Sequence, residues 1–196
     1  MNEAQRIIDY AATLFDVVGA QDKLLILGLE STPERNLDDF GRVNGEFQLY
    51  GFEKYVRPKL EMLTDFIREQ GFSAEVLGRL GYPLKGEFNL KELAISAGLG
   101  RRGKSTVVLH PQYANRLRFL AVKTDAPFEA SAPVQPESEN PVCQGCTVCL
   151  EACPLKILEP YRMLNTSVCL ANSANMTEEK DRLIPCDLCL RLCPAG

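Results

Sequence analysis

The sequence lacks several features that would point to other classes of protein. Its 196 residues contain no tryptophan and one histidine, and no apolar run approaches the roughly 20 residues that a membrane-spanning helix needs. The start, MNEAQRIIDY, has no basic stretch followed by an apolar one, so no signal peptide is expected and a reducing cytoplasmic location is predicted. No serine or cysteine nucleophile stands beside a base, which makes hydrolase chemistry an unexpected function.

Cysteine, in contrast, is abundant near the end of the chain. Two runs, CQGCTVCLEACP and CDLCLRLCP, have the spacing of bacterial iron–sulfur proteins, and Cys169 lies between them. The cysteine before proline is expected to ligate the other cluster, because a short loop wraps only one face of a cubane. The spacing predicts two 4Fe–4S clusters, which we assign to a first thiol set and a second thiol set. The first set is Cys143, Cys146, Cys149 and Cys193, and the second is Cys153, Cys169, Cys186 and Cys189.

Other uses of these cysteines were weighed. An even cysteine count suits disulfides in a secreted chain, but no secretion signal is visible. Zinc prefers separated Cys-x2-Cys pairs, whereas a third cysteine three residues on suits a cubane better. Cys169 stands alone and has the alternative of being a small buried hydrophobe. Without it the second cluster has three ligands, so ligation is the favoured interpretation.

Composition divides the chain into two predicted domains. Residues 1–124 hold 17 basic and 16 acidic side chains, whereas residues 125–196 hold 5 and 10. Proline and glutamate are concentrated in residues 125–141, which predicts a linker before a cluster domain at 142–196. An acidic cluster domain suits a basic redox partner protein and disfavours nucleic acid, although a merely solvated acidic face explains the charge equally well.

Periodicity predicts a mixture of helices and strands. Helices are expected at 4–18, 50–70 and 90–97, and strands at 24–29, 73–80, 106–109 and 117–123. The polar segment 31–47 is expected to be a long loop, a feature that often serves function.

The glycine-rich segment Gly98–Ser105, GLGRRGKS, matches both a dinucleotide fingerprint and a P-loop. Either motif works only when a strand precedes it and a helix follows. Here a helix is expected before it and a strand after it, so Gly98 is more plausibly the end of a helix. The glycines with Arg101, Arg102 and Lys104 suit either an anionic ligand or a tight connection with a solvated basic face.

The run LKELAISAGLGRRGKSTVVLHPQYANRLRFLAVKTDAPFE, followed by the paired cysteine motifs, resembles epoxyqueuosine reductases and, more distantly, reductive dehalogenases. The resemblance covers roughly residues 84–196. It implies an α+β fold, with a nitroreductase-like α/β domain that holds cobalamin and a bacterial ferredoxin-like domain that supplies electrons. By the same resemblance the cofactor would be contacted by Gly98, Gly100, Arg101, Gly103 and Lys104. FMN is the alternative cofactor, since nitroreductase-like folds also accept it.

The sequence departs from that family at informative positions. The family's proton-donating aspartate before the AGLG loop is absent from Leu80-Gly81-Tyr82-Pro83, which leaves Tyr82 as a weak catalytic candidate or a packing residue. Arg101 replaces the family's tryptophan. The chain stops at Gly196, where tRNA-acting members continue, and it is acidic overall. We therefore expect no nucleic acid partner and disfavour tRNA epoxyqueuosine reduction.

Two functions follow as hypotheses. In the first, electrons pass through both clusters to a cobalamin-like site and reduce a small-molecule substrate. In the second, the chain is an electron carrier or accessory subunit whose first domain only docks a partner. His110, the single histidine, is a metal ligand or, more commonly for such a residue, a turn residue. The carboxylate pairs Asp38-Asp39 and Glu178-Glu179 are expected to face solvent.

Overall fold

The structure, a computed structural model, describes residues 2–81, 88–129 and 140–196. Its mixture of helices and strands confirms the predicted mixed α and β architecture. The α-helices are α1 (Glu3–Leu14), α2 (Arg57–Glu69), α3 (Leu90–Ser96), α4 (Val148–Ala152) and α5 (Leu188–Arg191). The strands are β1 (Val17–Gln21), β2 (Leu24–Glu30), β3 (Phe40–Val43), β4 (Glu46–Leu49), β5 (Glu75–Leu77), β6 (Arg101–Arg102), β7 (Val108–Leu109), β8 (Leu117–Lys123), β9 (Leu158–Glu159), β10 (Arg162–Met163), β11 (Thr177–Glu179) and β12 (Arg182–Ile184).

A four-stranded antiparallel sheet in the order β1-β2-β8-β5 forms the centre of the molecule. Strands β2 and β8 pair along their full seven residues, from Leu24 opposite Lys123 to Glu30 opposite Leu117. Both strands were predicted from short apolar runs, and both are found where they were expected. Such runs are typical of strands that are covered on both faces.

Helices cover both faces of this sheet. Successive side chains of a strand point to opposite faces, so Leu25, Leu27 and Leu29 share one face and Ile26 lies on the other. The first face packs against α1 and α2, and the second packs against α3. This second face leads to the cysteine-rich segment.

A second four-stranded sheet joins the two ends of the chain, in the order β11-β12-β3-β4. Strand β12 pairs antiparallel with β3, and Leu183 lies opposite Phe40. Both side chains are buried in the same apolar cluster as the α1 and α2 helices. The cysteine-rich segment is therefore anchored to residues 40–49 by a shared sheet, while the domain boundaries at 124 and 142 stay a prediction.

The segment 31–47 differs from the expected long loop, because it contains the β3–β4 hairpin. Asn44 and Gly45 form its two-residue turn with φ values of +52° and +82°. Two consecutive positive φ angles are the requirement of a type I′ turn, and Asn-Gly is its preferred sequence. The dipeptide was the signal for this hairpin that we missed.

Helix α1 ends earlier than its apolar periodicity predicted. Phe15 already has extended backbone angles, and Val17 and Val18 begin β1 instead of continuing the helix. β-Branched residues are favoured in strands, where they pack against neighbours on the pleated surface. Tertiary pairing with β2 therefore overrides the helical pattern at this point.

The predicted helix at 50–70 is found as a π-helical turn, Phe52–Val56, followed directly by α2. Pro58 lies in the first turn of α2, directly after the π-helical turn, so it coincides with the change from π-helical to α-helical backbone. Gly71, with φ of +89°, follows the end of the helix. Within the described residues no helix is both long enough and apolar enough to cross a membrane.

Candidate cluster sites and the adjoining cavity

The eight cysteines are free thiols, and they line two separate cavities. The first thiol set lines the smaller cavity, of about 20 Å³, and the second set lines the larger one, of about 190 Å³. These are the groups of four that the spacing predicted, and their ligation of clusters stays a prediction. In the described part of the chain no three acidic, histidine or cysteine side chains are arranged to hold a single metal ion.

Tight turns position the first thiol set. The Asn140 side chain accepts a hydrogen bond from the Val142 amide at 3.2 Å, and the Cys143 amide donates to the Asn140 carbonyl at 2.7 Å. The Cys146 amide donates in turn to the Cys143 carbonyl at 3.1 Å. Helix α4 then carries Cys149. Short-range backbone bonds therefore place three of the four thiols.

Local turns and one contact of longer range position the second thiol set. The Cys169 carbonyl accepts from the Asn172 amide at 2.9 Å and from the Asn175 side chain at 3.2 Å. The Cys186 amide donates to the Leu170 carbonyl at 3.2 Å, which ties the Cys169 loop to the strand end after β12. Cys169, the uncertain member, is thereby held beside the second cysteine run.

The thiols of each set influence one another electrostatically. Burial, followed by the neighbouring Cys169 and Cys186, raises the pKa of Cys189 to about 11. Burial also raises the pKa of Cys149, with smaller contributions from Cys193 and Cys143. Thiolates at these positions require a compensating positive charge, which a bound metal centre supplies.

The glycine-rich loop lies against the smaller cavity. Gly103 and Lys104 line it, and the Lys104 ammonium donates to the Cys146 carbonyl at 3.1 Å. Gly98, Gly100 and Arg101 line neither cavity. The structure therefore places Gly103 and Lys104 beside the first thiol set, and the cofactor role of this loop stays a prediction.

The backbone of this loop follows the order expected from the sequence, helix first and strand afterwards. Gly98, with φ of +77°, ends α3, and β6 then pairs with β7. Gly100 has φ of +139°, and a Cβ atom there would lie 2.6 Å from the Leu109 carbonyl oxygen. A phosphate-binding loop requires the reverse order of elements.

The larger cavity combines the second thiol set with apolar walls and a few charged groups. Its charged and polar lining includes Asp38, Lys91, Ser105, Thr106, Asn115, Arg118 and Asp187. Asp38 and Arg118 form a partly buried ion pair, in which the Arg118 Nε lies 2.8 Å from Oδ1 of the carboxylate. The expectation that Asp38 faces solvent is wrong, because pairing with Arg118 on β8 draws it into the cavity wall.

Thr106 and Lys91 are residues of this cavity that sequence reasoning missed. Thr106 is buried and has φ of +71°, a costly conformation for a β-branched residue. Backbone strain of this kind is concentrated at functional sites. Lys91 donates to the Thr106 hydroxyl at 3.5 Å. Thr106 follows the recognised GKS letters, whereas Lys91 had no motif to identify it.

Tyr82 and His110 are two candidate residues from the sequence that the structure does not place in either cavity. Tyr82 lies outside the described residues, although Leu80 and Gly81 just before it line the larger cavity. His110 lines neither cavity; its Nδ1 accepts from the Gln112 amide at 3.1 Å and the Tyr113 amide at 3.3 Å. Burial lowers the pKa of His110. These contacts are those of a turn residue.

No family model matches the chain, but individual proteins do. It is 26% identical to the epoxyqueuosine reductase of Bacillus subtilis (strain 168) over an alignment of 152 residues, which covers 73% of this chain and 37% of that protein. It is 27% identical to the epoxyqueuosine reductase of Leadbetterella byssophila over 192 residues, 91% of this chain and 59% of that protein. The chain resembles the epoxyqueuosine reductases. It spans less than two thirds of the length of these relatives.

Solved structures show the same fold. A crystal structure of selenomethionine-labelled epoxyqueuosine reductase matches 97% of this chain, and 64% of its own, with a TM-score of 0.71 and 18% identity. A reductive dehalogenase studied for B12-dependent dehalogenation matches 96% of this chain and 31% of its own, with a TM-score of 0.66 and 16% identity. The predicted resemblance, including its more distant branch, is confirmed.

A third structure corrects two of our expectations. It is an epoxyqueuosine reductase with an epoxyqueuosine-modified tRNA-Tyr stem loop, and it matches 97% of this chain and 64% of its own, with a TM-score of 0.69 and 19% identity. Our expectation that the chain has no nucleic acid partner was wrong. It was also wrong to disfavour tRNA epoxyqueuosine reduction and to prefer a small-molecule substrate or an accessory role. A net charge of −4 is a sum over the whole chain, whereas recognition depends on the local distribution of charge.

Proposed function

We propose that the chain is an iron–sulfur reductase of the epoxyqueuosine reductase type, with epoxyqueuosine in tRNA as its substrate. The observation that carries the proposal is the grouping of eight free thiols into two sets of four, each lining its own cavity. The related epoxyqueuosine reductases supply the substrate class. In this proposal residues 1–124 form a nitroreductase-like domain and residues 142–196 a ferredoxin-like domain.

Two 4Fe–4S clusters fit the donor sets. Each set has four thiols, the number of ligands that a cubane takes, and each cysteine run gives one thiol to the other set. Cys153 leaves the first run for the second set, and Cys193 leaves the second run for the first set. Through this exchange each cysteine run would contribute ligands to both clusters, and the bound clusters would supply the transfer of single electrons.

The second cluster is the one that faces the reaction site in this proposal. Its four thiols share the larger cavity with Asp38, Arg118 and Thr106, whereas the first set shares its small cavity with the glycine-rich loop. Electrons would therefore enter at the first cluster and leave from the second. A basic redox partner would dock on the acidic cluster domain, which has 5 basic and 10 acidic residues over 125–196.

A corrinoid is the proposed cofactor, and it would lie against the larger cavity, because the wall of this cavity is mainly apolar and adjoins the second thiol set. Residues 105–108, together with Leu117 and Phe119, line this cavity and would contact it. A bound corrinoid supplies a cobalt ion that accepts single electrons. The Asp38–Arg118 pair would keep its charged groups fixed at the edge of the cavity and so orient the polar part of a ligand.

The test begins with protein purified without oxygen and loaded with iron and sulfide, in which iron, sulfide and cobalt are quantified. Visible spectra then follow separate titrations with cobalamin and with FMN. Loaded protein is incubated with dithionite and an anticodon stem loop that carries epoxyqueuosine, and the RNA is digested to nucleosides for mass spectrometry. We expect binding of cobalamin and loss of the epoxyqueuosine nucleoside.

The matched control is Cys186→Ser, which removes one thiol of the second set and leaves the first set complete. It is expected to leave epoxyqueuosine unchanged. Wild-type protein that holds both clusters and cobalamin but leaves the modified RNA intact would contradict the proposed substrate. Protein that takes up no iron would contradict the proposal as a whole.

A further inference from the structure

Lys91 carries a charge that the fold does not explain. It lies in the first turn of the seven-residue helix α3, where the helix dipole favours acidic side chains and disfavours a cation. Its neighbour Glu92 follows the rule and pairs with Arg102. Lys91 instead extends into the wall of the larger cavity, where it contacts Thr106.

No carboxylate of the described residues forms an ion pair with Lys91, although Asp38 and Asp187 line the same cavity. Among the residues that the structure describes, its ammonium makes one hydrogen bond, to a neutral hydroxyl, and no ion pair. Burial lowers the pKa of Lys91, and the nearby cation Arg102 lowers it further. The groups that act in the opposite direction are the thiols of Cys189 and Cys169. A half-buried cation without a charged partner lowers the stability of the fold unless a negative group compensates its charge.

The second thiol set offers such a group once a cluster is bound. Four thiolates around a core of charge 2+ carry a net charge of −2, and uptake of one electron makes the net charge −3 with no bond formed or broken. A fixed positive charge in the same cavity stabilises the −3 state more than the −2 state. The reduction potential of a cluster depends on such charges and on its exposure to solvent.

We propose that Lys91 tunes the second cluster. Its ammonium balances the negative charge of the cluster and so raises the reduction potential of the cluster. The inference rests on the proposed function, because it requires a cluster at the second thiol set. It assigns a role to a lysine that no cysteine motif or glycine motif contains. It also explains why an unpaired cation is found in a cavity that is otherwise mainly apolar.

The test compares Lys91→Met, Lys91→Arg and wild-type protein, each loaded with iron and sulfide without oxygen. Dithionite reduces the clusters at controlled potentials while electron paramagnetic resonance monitors them. Cys169→Ala identifies the signal of the second cluster. In Lys91→Met we expect this signal at a more negative potential, with the equilibrium constant for one-electron reduction lowered about tenfold. Lys91→Arg is expected to keep the wild-type potential, because it keeps the charge.

The matched control is Lys54→Met, since Lys54 is an exposed lysine that lines neither cavity. The reduction potentials of both clusters in Lys54→Met should equal those in wild-type protein. A second measurement separates tuning from a structural role: apo Lys91→Met should unfold at a temperature no lower than apo wild-type protein, because it loses a partly buried, unpaired charge.

Three results would overturn the proposal. Unshifted potentials in fully loaded Lys91→Met would overturn it while leaving the proposed function intact. Loss of about half of the iron from Lys91→Met would show that the lysine serves cluster assembly and not the potential. Wild-type protein without iron would overturn the proposed function, and this inference with it.

Discussion

The two cavities differ in size and in what borders them. The smaller one, of about 20 Å³, is bordered by backbone turns and by the glycine-rich loop. The larger one, of about 190 Å³, is bordered by residues from segments far apart in the chain. The first thiol set is placed mainly by hydrogen bonds between residues close in sequence. The second set includes Cys186, which follows two residues after β12, the strand that pairs with β3. Under the proposed function, the smaller cavity would be the electron-entry site and the larger cavity the ligand-facing site.

Removal of single thiols should separate the two sites most strongly. Cys169→Ala is expected to leave the first cluster intact and to convert or abolish the second, so that iron falls from about eight to about four or seven atoms per chain. Cys146→Ser should damage the first cluster instead. Iron analysis and electron paramagnetic resonance measure both effects. Two unchanged cubanes in Cys169→Ala would refute the assignment of Cys169 as a ligand.

Weakening the shared sheet should affect the second site more than the first. Leu183 on β12 is 3% exposed and lies opposite Phe40, so Leu183→Ala should cost about 2–5 kcal/mol of unfolding free energy. Denaturant unfolding measures this cost. Spectroscopy of the loaded protein should show faster loss of the second cluster. The control is Ile184→Ala, because Ile184 on the same strand is exposed; equal losses in both variants would contradict this account.

The glycine-rich loop, which borders the first site through Gly103 and Lys104, offers a test of its own backbone packing. Gly100→Ala places a Cβ atom 2.6 Å from the Leu109 carbonyl oxygen at a φ of +139°, so we expect a loss of about 3 kcal/mol. The control is Gly45→Ala, where φ is +82° but no atom lies within 4 Å of the added Cβ. Its cost should be about 1 kcal/mol. Equal costs by denaturant unfolding would show that the close approach at Gly100 is unimportant.

The stability of the fold at acid pH should depend on Asp125, and this smaller effect should not distinguish the two sites. The Asp125 carboxylate accepts from the Ser73 amide at 2.6 Å and from its hydroxyl at 2.8 Å, and these bonds lower the pKa of Asp125. At acid pH the unfolded state therefore binds more protons than the folded state. The stabilisation that Asp125 gives to the folded state is fully present above the ordinary aspartate pKa of 3.8, and it is lost as the pH falls through the pKa of Asp125 in the folded state.

Asp125→Asn should therefore flatten the acid end of a plot of unfolding temperature against pH. Glu75→Gln, which alters an exposed carboxylate on β5, is the matched control. Because Asp125 precedes both cysteine runs, the ratio of first to second cluster should stay constant in this variant. A selective change in one cluster would show that Asp125 acts on one site only.

Much of the fold could be predicted where a pattern is local. Strands β2 and β8 were predicted from short apolar runs, and α3 and its end at Gly98 from periodicity followed by glycine. The β3–β4 hairpin was also local, in Asn44-Gly45, but we overlooked it. The early end of α1 was not local, because Val17 is drawn into a strand by pairing with Gly28.

By itself the amino-acid sequence determined which thiols lie together within each cysteine run, because spacing dictates which side chains a short loop can bring together. Only the tertiary structure decided that Asp38, Lys91 and Thr106 share a cavity with the second set. Asp38 and Lys91 lie on segments far apart in the chain, and the folding of β8 and α3 brings both to one wall. Spacing determines contacts within a loop, whereas contacts between distant segments depend on how the sheets and helices pack.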